Sequence, residues 1–404
     1  MLDNWTSYTL RFPSNVRYFL LPLYLSLQWN NIKVVFVILK IPFRLLFNLL
    51  KFNLSIENYK TIIVIDTPGL NGGLLCSYFL KHYKINNCLI VSNDKNNINQ
   101  IVTSAFDYYI INYPLRCDKK YISYKLNTNC LSFKEKVAYY YDILIRSSYF
   151  KSAHAILTKT CCKRVFLFNE RMTLSSAFCE SSKMLGKKIH VIQHGNIVPN
   201  YFPSYSHYYW AWGNFYQKFL LKQLNHKRVK VIGLPFEKID LPPNFSVSPV
   251  KNILFCAQKM GSSLTNHEID LCNKIIYDIS EDNPSINFDI KIHPSDNLDS
   301  WGNFLSLTNC YVNSVWQKAN YQLCCSFYST CLIDMPFLGI PSFQISHSET
   351  VNKVQNLFAD CSIHLVTNNK EFKSYINLIN IGKIDLIKLM NQQKKSLSKY
   401  YKIL

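Results

Sequence analysis

Acidic residues are scarce in this chain: 25 Asp and Glu stand against 45 Lys and Arg among 404 residues, a formal net charge of +20. That imbalance favours an anionic partner, such as nucleic acid, a phosphate-bearing substrate or an anionic membrane leaflet. The basic residues are scattered, and no recognised nucleic-acid motif is present, so we expect no nucleic-acid partner. A hydrophobic content of 48% excludes a disordered chain.

Two common site motifs are also missing. Asp66-Thr67-Pro68-Gly69 imitates a GTPase switch sequence, but no Gly-x-x-x-x-Gly-Lys-Ser/Thr loop precedes it. The 14 cysteines are irregularly spaced, and no Cys-x-x-Cys pair is there to begin a zinc site. We therefore expect free thiols in a reducing cytoplasm, and no metal.

Long apolar runs are lacking as well. The first 18 residues do not form a signal peptide, and the apolar stretch that follows is interrupted by polar residues before it reaches the ~20 residues of a spanning helix. Residues 34–50, with Lys40 and Arg44, are typical of a helix lying in the membrane interface. We expect residues 1–55 to attach peripherally, with a true span or a buried helical hairpin as alternatives.

Short β-rich runs alternate with helical patterns over the rest of the chain, as in a doubly wound parallel sheet. A Pro- and Ser-rich stretch at residues 241–250 indicates a linker. We therefore predict an α/β protein with two Rossmann-like domains facing a cleft, at residues 56–240 and 241–404. The basic tail from Lys370 is spaced for a helix face that packs on a domain or binds membrane.

Polar residues follow the predicted strands of the first domain, at the edge where open α/β sheets bind ligands. Gly69, Gly72 and Gly73 form a loop that either binds an acceptor or is only a tight turn. Gln193 and His194 end another strand, and His194 is a candidate base or phosphate ligand, or else a structural histidine.

Glu170 follows a neighbouring strand, and in a chain with few carboxylates it is the better candidate for a general base. Its alternative role is a surface ion pair with Arg171. Trp210 and Trp212 are expected in the core or in a cleft wall rather than as sugar platforms.

The second domain carries the most specific pattern, Lys291-Ile292-His293-Pro294. Pro294 restrains His293 to extended geometry, so that its imidazole and nearby Lys291 can stabilise a departing phosphate. Some 36 residues on, Ser329 and Thr330 lie at a predicted helix start, where hydroxyl and N–H groups can bind phosphate.

These motifs together resemble the GT-B-fold glycosyltransferases that build bacterial capsules and surface polysaccharides. The resemblance covers roughly residues 165–345 and is carried by Glu170, by Gln-His-Gly at 193–195, by Val-x-Gly-x-Pro at 231–235, by His293-Pro294 and by Ser329-Thr330. Asp334, Gly339 and Pro341 complete it. Sialyltransferases and polysialyltransferases of this fold are similar in the His-Pro and Ser-Thr pairs.

The resemblance implies that His293 serves a departing cytidine monophosphate and that Ser329 and Thr330 bind its phosphate, with Lys291 beside them. Asp334 is then expected at the donor ribose or base, and Gly69, Gly72, Gly73 and Gln193 at the acceptor. Two departures stand out: the acid-acid-Gly motif of those enzymes is absent, and Pro336 removes a helical hydrogen bond to the carbonyl of Leu332.

The sequence therefore predicts a peripheral enzyme at the cytoplasmic face of a bacterial inner membrane. It would transfer sialic acid or another acidic sugar from a CMP conjugate to a lipid-linked or growing glycan, without a metal or other cofactor. The alternative is a non-catalytic member of a capsule-assembly complex, recruiting synthesis or export partners through the N-terminus and tail.

Overall fold

The computed structural model describes residues 58–66, 70–83, 87–94, 107–110, 131–170, 172–195, 204–214, 228–233, 249–258, 266–292, 301–313, 321–350 and 361–400, and isolated positions between them. The chain divides into two compact units. The first is Met1–Trp212 with Tyr216–Pro235, and the second is Gly213–Phe215 with Phe236–Leu404.

The first unit is built on a seven-stranded sheet in the order β3-β2-β1-β4-β5-β6-β7, with every pair parallel. Its strands are β1 (Thr61–Ile65), β2 (Cys88–Ser92), β3 (Asp107–Ile110), β4 (Arg164–Leu167), β5 (Lys188–Ile192), β6 (Tyr208–Ala211) and β7 (Val229–Val231). The central strands are buried on both faces, which explains their unbroken apolar sequences.

The helices described over their full length beside this sheet are α1 (Leu70–Tyr83), α2 (Phe133–Lys159) and α3 (Thr173–Met184). Phe79 of α1 packs with Phe166 and Ile63 on one face of the sheet. A capping box starts α2, where the Glu135 N–H donates to the Ser132 hydroxyl and the Ser132 N–H donates to the Glu135 carboxylate.

The second unit repeats the plan with a six-stranded parallel sheet in the order β10-β9-β8-β11-β12-β13. The strands are β8 (Asn252–Cys256), β9 (Asn287–Lys291), β10 (Cys310–Asn313), β11 (Leu323–Ser326), β12 (Ser342–Ile345) and β13 (His364–Val366). Both sheets thus have the Rossmann order, and the predicted α/β class with two Rossmann-like units is confirmed.

Among the described residues of the second unit, the helices are α4 (Asn266–Glu281), α5 (Gly302–Leu305), α6 (Cys331–Phe337), α7 (Asn369–Asn380) and α8 (Leu386–Tyr400). The short α6 contains Pro336, and Gly339 ends it with a φ of 94°, a conformation that glycine adopts without strain. The basic tail forms α7 and α8 and packs on this unit: Ile376, Leu386 and Met390 are buried, whereas Ile387 is exposed.

The N-terminal prediction lies almost wholly outside the described residues. Among the residues that are described, no helix has the length and apolar character to cross a bilayer. The described cysteines are thiols rather than disulfides, as expected, and of these only Cys161 is exposed.

Candidate functional site

The carboxyl edge of the first sheet brings together residues that follow β1, β4 and β5. The strand order reverses between β1 and β4, the position at which open α/β sheets bind ligands. Asp66 follows β1 and is buried. Its carboxylate accepts hydrogen bonds from the Ser175 N–H at 2.7 Å and the Ser175 hydroxyl at 2.6 Å, and so anchors the first turn of α3.

Burial raises the pKa of Asp66 to about 6, although the hydrogen bonds from Ser175 act in the opposite direction. Asp66 was not among the predicted site residues. The position of an acid directly after a buried strand was the signal for it.

Glu170, the predicted general base, lies just beyond β4 and is only 1% exposed. Its Oε2 accepts a hydrogen bond from the backbone N–H of Tyr205 at 3.2 Å, and the Cys179 thiol lies 3.9 Å from the same oxygen. The carboxylate therefore tethers the segment before β6 to α3. The Glu170 side chain is therefore not at the surface, and Arg171, its partner in the predicted ion pair, lies outside the described residues.

Gln193 is equally buried, and its amide bonds to backbone at both ends. Its oxygen accepts from the Trp212 N–H at 2.8 Å, and its nitrogen donates to the Gly195 carbonyl at 2.9 Å. The Gln193 side chain thus joins the end of β5 to the end of β6.

His194 is more open than Glu170 and Gln193, since part of the residue reaches solvent. Burial of the imidazole lowers its pKa to about 4, partly offset by a hydrogen bond to the backbone of Phe168 at the end of β4. At neutral pH the ring is therefore uncharged.

The glycines predicted to bind an acceptor are only partly described. Gly72 and Gly73 lie in the first turns of α1, whereas Gly69 lies outside the described residues. Trp212 is buried. Trp210 is partly buried against the core, and its indole donates to His190 Nδ1 at 3.1 Å, so both tryptophans lie in or against the core, one of the two expected positions.

In the second sheet the strand order reverses between β8 and β11. Side chains join the two strand ends: the Ser326 hydroxyl donates to the Cys256 carbonyl at 2.6 Å, and the Gln258 side chain accepts from the Tyr328 N–H at 2.7 Å. Gln258 was not singled out in the sequence. These bonds fix the backbone leading into α6.

Ser329 and Thr330 stand at this edge, directly before α6. The Ser329 hydroxyl accepts a hydrogen bond from the Cys331 N–H at 3.3 Å. Thr330 is the N-cap residue, and its side chain makes no capping hydrogen bond. The helix start is therefore held by Ser329, which leaves the Thr330 hydroxyl for another partner.

Lys291 ends β9 and acts electrostatically on Cys256 and Asp334. Asp334 lies one turn into α6, and its Oδ1 is shielded from solvent without a hydrogen-bond partner. Burial, with a contribution from Cys331, raises the pKa of Asp334 well above its usual range. His293, the centre of the predicted motif, lies outside the described residues.

A cluster that sequence reasoning missed lies beside these residues. The sulfur atoms of Cys256, Cys324 and Cys331 are all within 4.8 Å of one another, and the three side chains are buried. The three cysteines come from three separate elements, so no local sequence motif predicts the cluster.

Comparison with known proteins defines the fold. No family model and no curated protein matches the sequence. The solved structures do match. A UDP-GlcNAc 2-epimerase from Neisseria meningitidis bound to UDP-GlcNAc is 13% identical with a TM-score of 0.54, over 83% of this chain and 94% of that one.

A glycosyltransferase from Rickettsia africae is 12% identical with a TM-score of 0.52, over 85% and 94% of the two chains. HepE from Anabaena in complex with UDP-glucose is 10% identical, also with a TM-score of 0.52, over 85% and 95%. The chain therefore has the GT-B fold expected from its motifs, a fold found here in glycosyltransferases and in an epimerase. At these identities the likeness shows the fold alone.

Proposed function

We propose that this protein is a glycosyltransferase that uses a nucleotide-sugar donor. The observation that carries the proposal is the position of Ser329 and Thr330 at the carboxyl edge of the second sheet, next to its reversal point, where Rossmann-like sheets bind nucleotides. The nucleotide sugars in the similar structures from Neisseria meningitidis and Anabaena support the same class of donor.

The second unit would hold the departing nucleotide. Negative charge develops on a phosphate oxygen as the sugar–oxygen bond breaks, and hydroxyl donors and cations stabilise that charge. Thr330 would donate its hydroxyl, Lys291 would supply positive charge, and His293 would donate a hydrogen bond or a proton. Asp334 would contact the ribose or the base of the nucleotide.

The first unit would supply the base that removes a proton from the acceptor hydroxyl. We favour His194 over Glu170 for this role, because the imidazole is neutral at physiological pH and the residue as a whole is partly exposed. Glu170 is enclosed and accepts a backbone hydrogen bond, so it suits the positioning of the segment near Tyr205. Gly69, Gly72, Gly73 and Gln193 would line the acceptor side.

The finer proposal is the transfer of sialic acid or another acidic sugar from a CMP donor to a lipid-linked or growing surface glycan. Its support is the His293-Pro294 and Ser329-Thr330 pairs. The charge of +20 and the basic, apolar residues 1–55 favour peripheral attachment to the cytoplasmic face of a bacterial inner membrane. The transfer step would need no metal or other cofactor.

A second candidate is an epimerase acting on UDP-GlcNAc, suggested by the similar fold of the Neisseria enzyme. The two activities separate cleanly, since a transferase needs an acceptor and an epimerase does not. A non-catalytic role in capsule assembly would give neither product.

The test incubates the protein with CMP-sialic acid, UDP-GlcNAc and UDP-glucose, each with and without a lipid-linked oligosaccharide acceptor, and identifies products by mass spectrometry. We expect an acceptor-dependent glycan product that His293→Ala abolishes while the circular dichroism spectrum is unchanged. Acceptor-independent conversion of UDP-GlcNAc would establish the epimerase instead, and unchanged turnover in His293→Ala would refute the assigned role of His293.

A further inference from the structure

Three thiols meet on the α6 side of the second sheet. Cys256 ends β8, Cys324 lies in β11 and Cys331 begins α6, and their sulfur atoms are mutually within 4.8 Å. The adjacent Cys325 belongs to the hydrophobic core on the opposite face, as the alternation of side chains along a strand requires. The trio is therefore a separate group of sulfurs facing one another.

All three side chains are buried: Cys256 is 4% exposed, Cys324 0% and Cys331 7%. A cation held between the three sulfur atoms would therefore be shielded from bulk water.

We propose that Cys256, Cys324 and Cys331 form a structural binding site for a zinc-type ion. Thiolate sulfur is the ligand that selects such ions, and three sulfurs supply three of the four ligands in the tetrahedral set that zinc prefers. Each bound thiol loses its proton to solvent, and no electron is transferred. This departs from the metal-free expectation for the chain, because the ligands are far apart in sequence.

Binding of the ion would stabilise the local structure around the three cysteines. The ion would link β8 and β11 to the start of α6, immediately beside Ser329 and Thr330. Its role would be to position that edge, so metal binding does not depend on the proposed transferase activity.

The test titrates the reduced, full-length protein with Co²⁺, without any nucleotide. We expect a thiolate-to-cobalt charge-transfer band and the visible bands of tetrahedral cobalt, saturating at one equivalent and lost when Zn²⁺ is added. Absence of these bands in the wild-type protein overturns the proposal, whatever the variants do.

Variants assign the ligands. Cys324→Ala and Cys331→Ala should each weaken Co²⁺ binding by more than about 100-fold. Cys325→Ala is the matched control, since it removes an equally buried thiol from the same strand on the other face, and it should bind one equivalent as the wild type does. Equal losses in Cys325→Ala and Cys331→Ala, or none in Cys331→Ala, would contradict the assignment.

Discussion

The Asp66 carboxylate accepts two hydrogen bonds from Ser175, one from the backbone N–H at 2.7 Å and one from the hydroxyl at 2.6 Å. This pair joins the end of β1 to the start of α3 across 109 residues of sequence. It lies at the reversal point of the first sheet, so the geometry of that edge depends on it.

The first prediction concerns the pH dependence of stability through Asp66. Its pKa is 3.8 in the unfolded reference and about 6 in the fold, so the folded state binds more protons between those values. Stability should therefore fall by at most about 3 kcal/mol as pH rises from 4 to 6, and then level off.

Urea unfolding at several pH values measures the free energy of unfolding of the wild type and of Asp66→Asn. The variant lacks this titration, so its stability relative to the wild type should increase from pH 4 to pH 6. A difference that stays constant over this range would contradict the raised pKa.

The second prediction concerns a buried ion network between α2 and α3. Arg146 bonds Asp142 at 3.0 Å, lies 3.9 Å from Glu180 and donates to the Ser176 hydroxyl, and it is 2% exposed. Arg146→Ala leaves buried carboxylates without their cation and should cost about 3–5 kcal/mol in the free energy of unfolding.

Chemical denaturation measures this cost. Tyr140→Ala is the control on the same helix, because Tyr140 is 53% exposed and its loss should change stability by less than about 0.5 kcal/mol. If the two variants unfolded at similar denaturant concentrations, the ion network would contribute little to the free energy of unfolding.

The third prediction separates the two candidate bases. His194→Gln should reduce kcat by about 100-fold or more without changing nucleotide affinity. In the wild type, kcat should stay level from pH 8 down to about 5, because the pKa of His194 is about 4. Steady-state kinetics across this range provide the check.

His82→Gln is the control for His194→Gln, since His82 lies exposed on α1 of the same unit. If Glu170→Gln abolishes turnover in a folded protein while His194→Gln retains it, the base is Glu170.

The fourth prediction distinguishes the two hydroxyls before α6. Thr330→Val keeps the shape of the side chain and removes a hydroxyl that caps nothing, so it should weaken nucleotide binding by about tenfold at unchanged unfolding temperature. Ser329→Ala also removes the acceptor for the Cys331 N–H, so it should lower the unfolding temperature too. Calorimetric titration and thermal unfolding of both variants would reveal whether the two effects separate in this way.

Most of the fold was predictable because parallel strands buried on both faces have unbroken apolar sequences, as in β1 and β2. The long helix α2 was missed because its buried face carries Asp142, Arg146 and several serines, which conceal the helical period. The Ser132-x-x-Glu135 capping box was the available signal. The aromatic strand β6 and the short strands β12 and β13 were missed too.

The candidate site was predictable only as far as strand ends can be located. Lys291, Ser329 and Thr330 do lie at one edge of the second sheet, and Gln193 and His194 at one edge of the first. Burial could not be inferred in the same way. Glu170 and Gln193 look like exposed polar residues in the sequence, yet long-range partners such as Tyr205 and Trp212 enclose them.

The central claim, that the second unit binds a nucleotide-sugar donor, is tested most directly by thermal unfolding with CMP, CDP, UDP and GDP in turn. At about 100 times its dissociation constant, a ligand adds about 2.7 kcal/mol of stability, which corresponds to an upward shift of about 3–6 °C. We expect such a shift with at least one of these nucleotides, and a smaller shift in Thr330→Val at the same concentration. No shift with any of them, at millimolar concentration, would contradict the account.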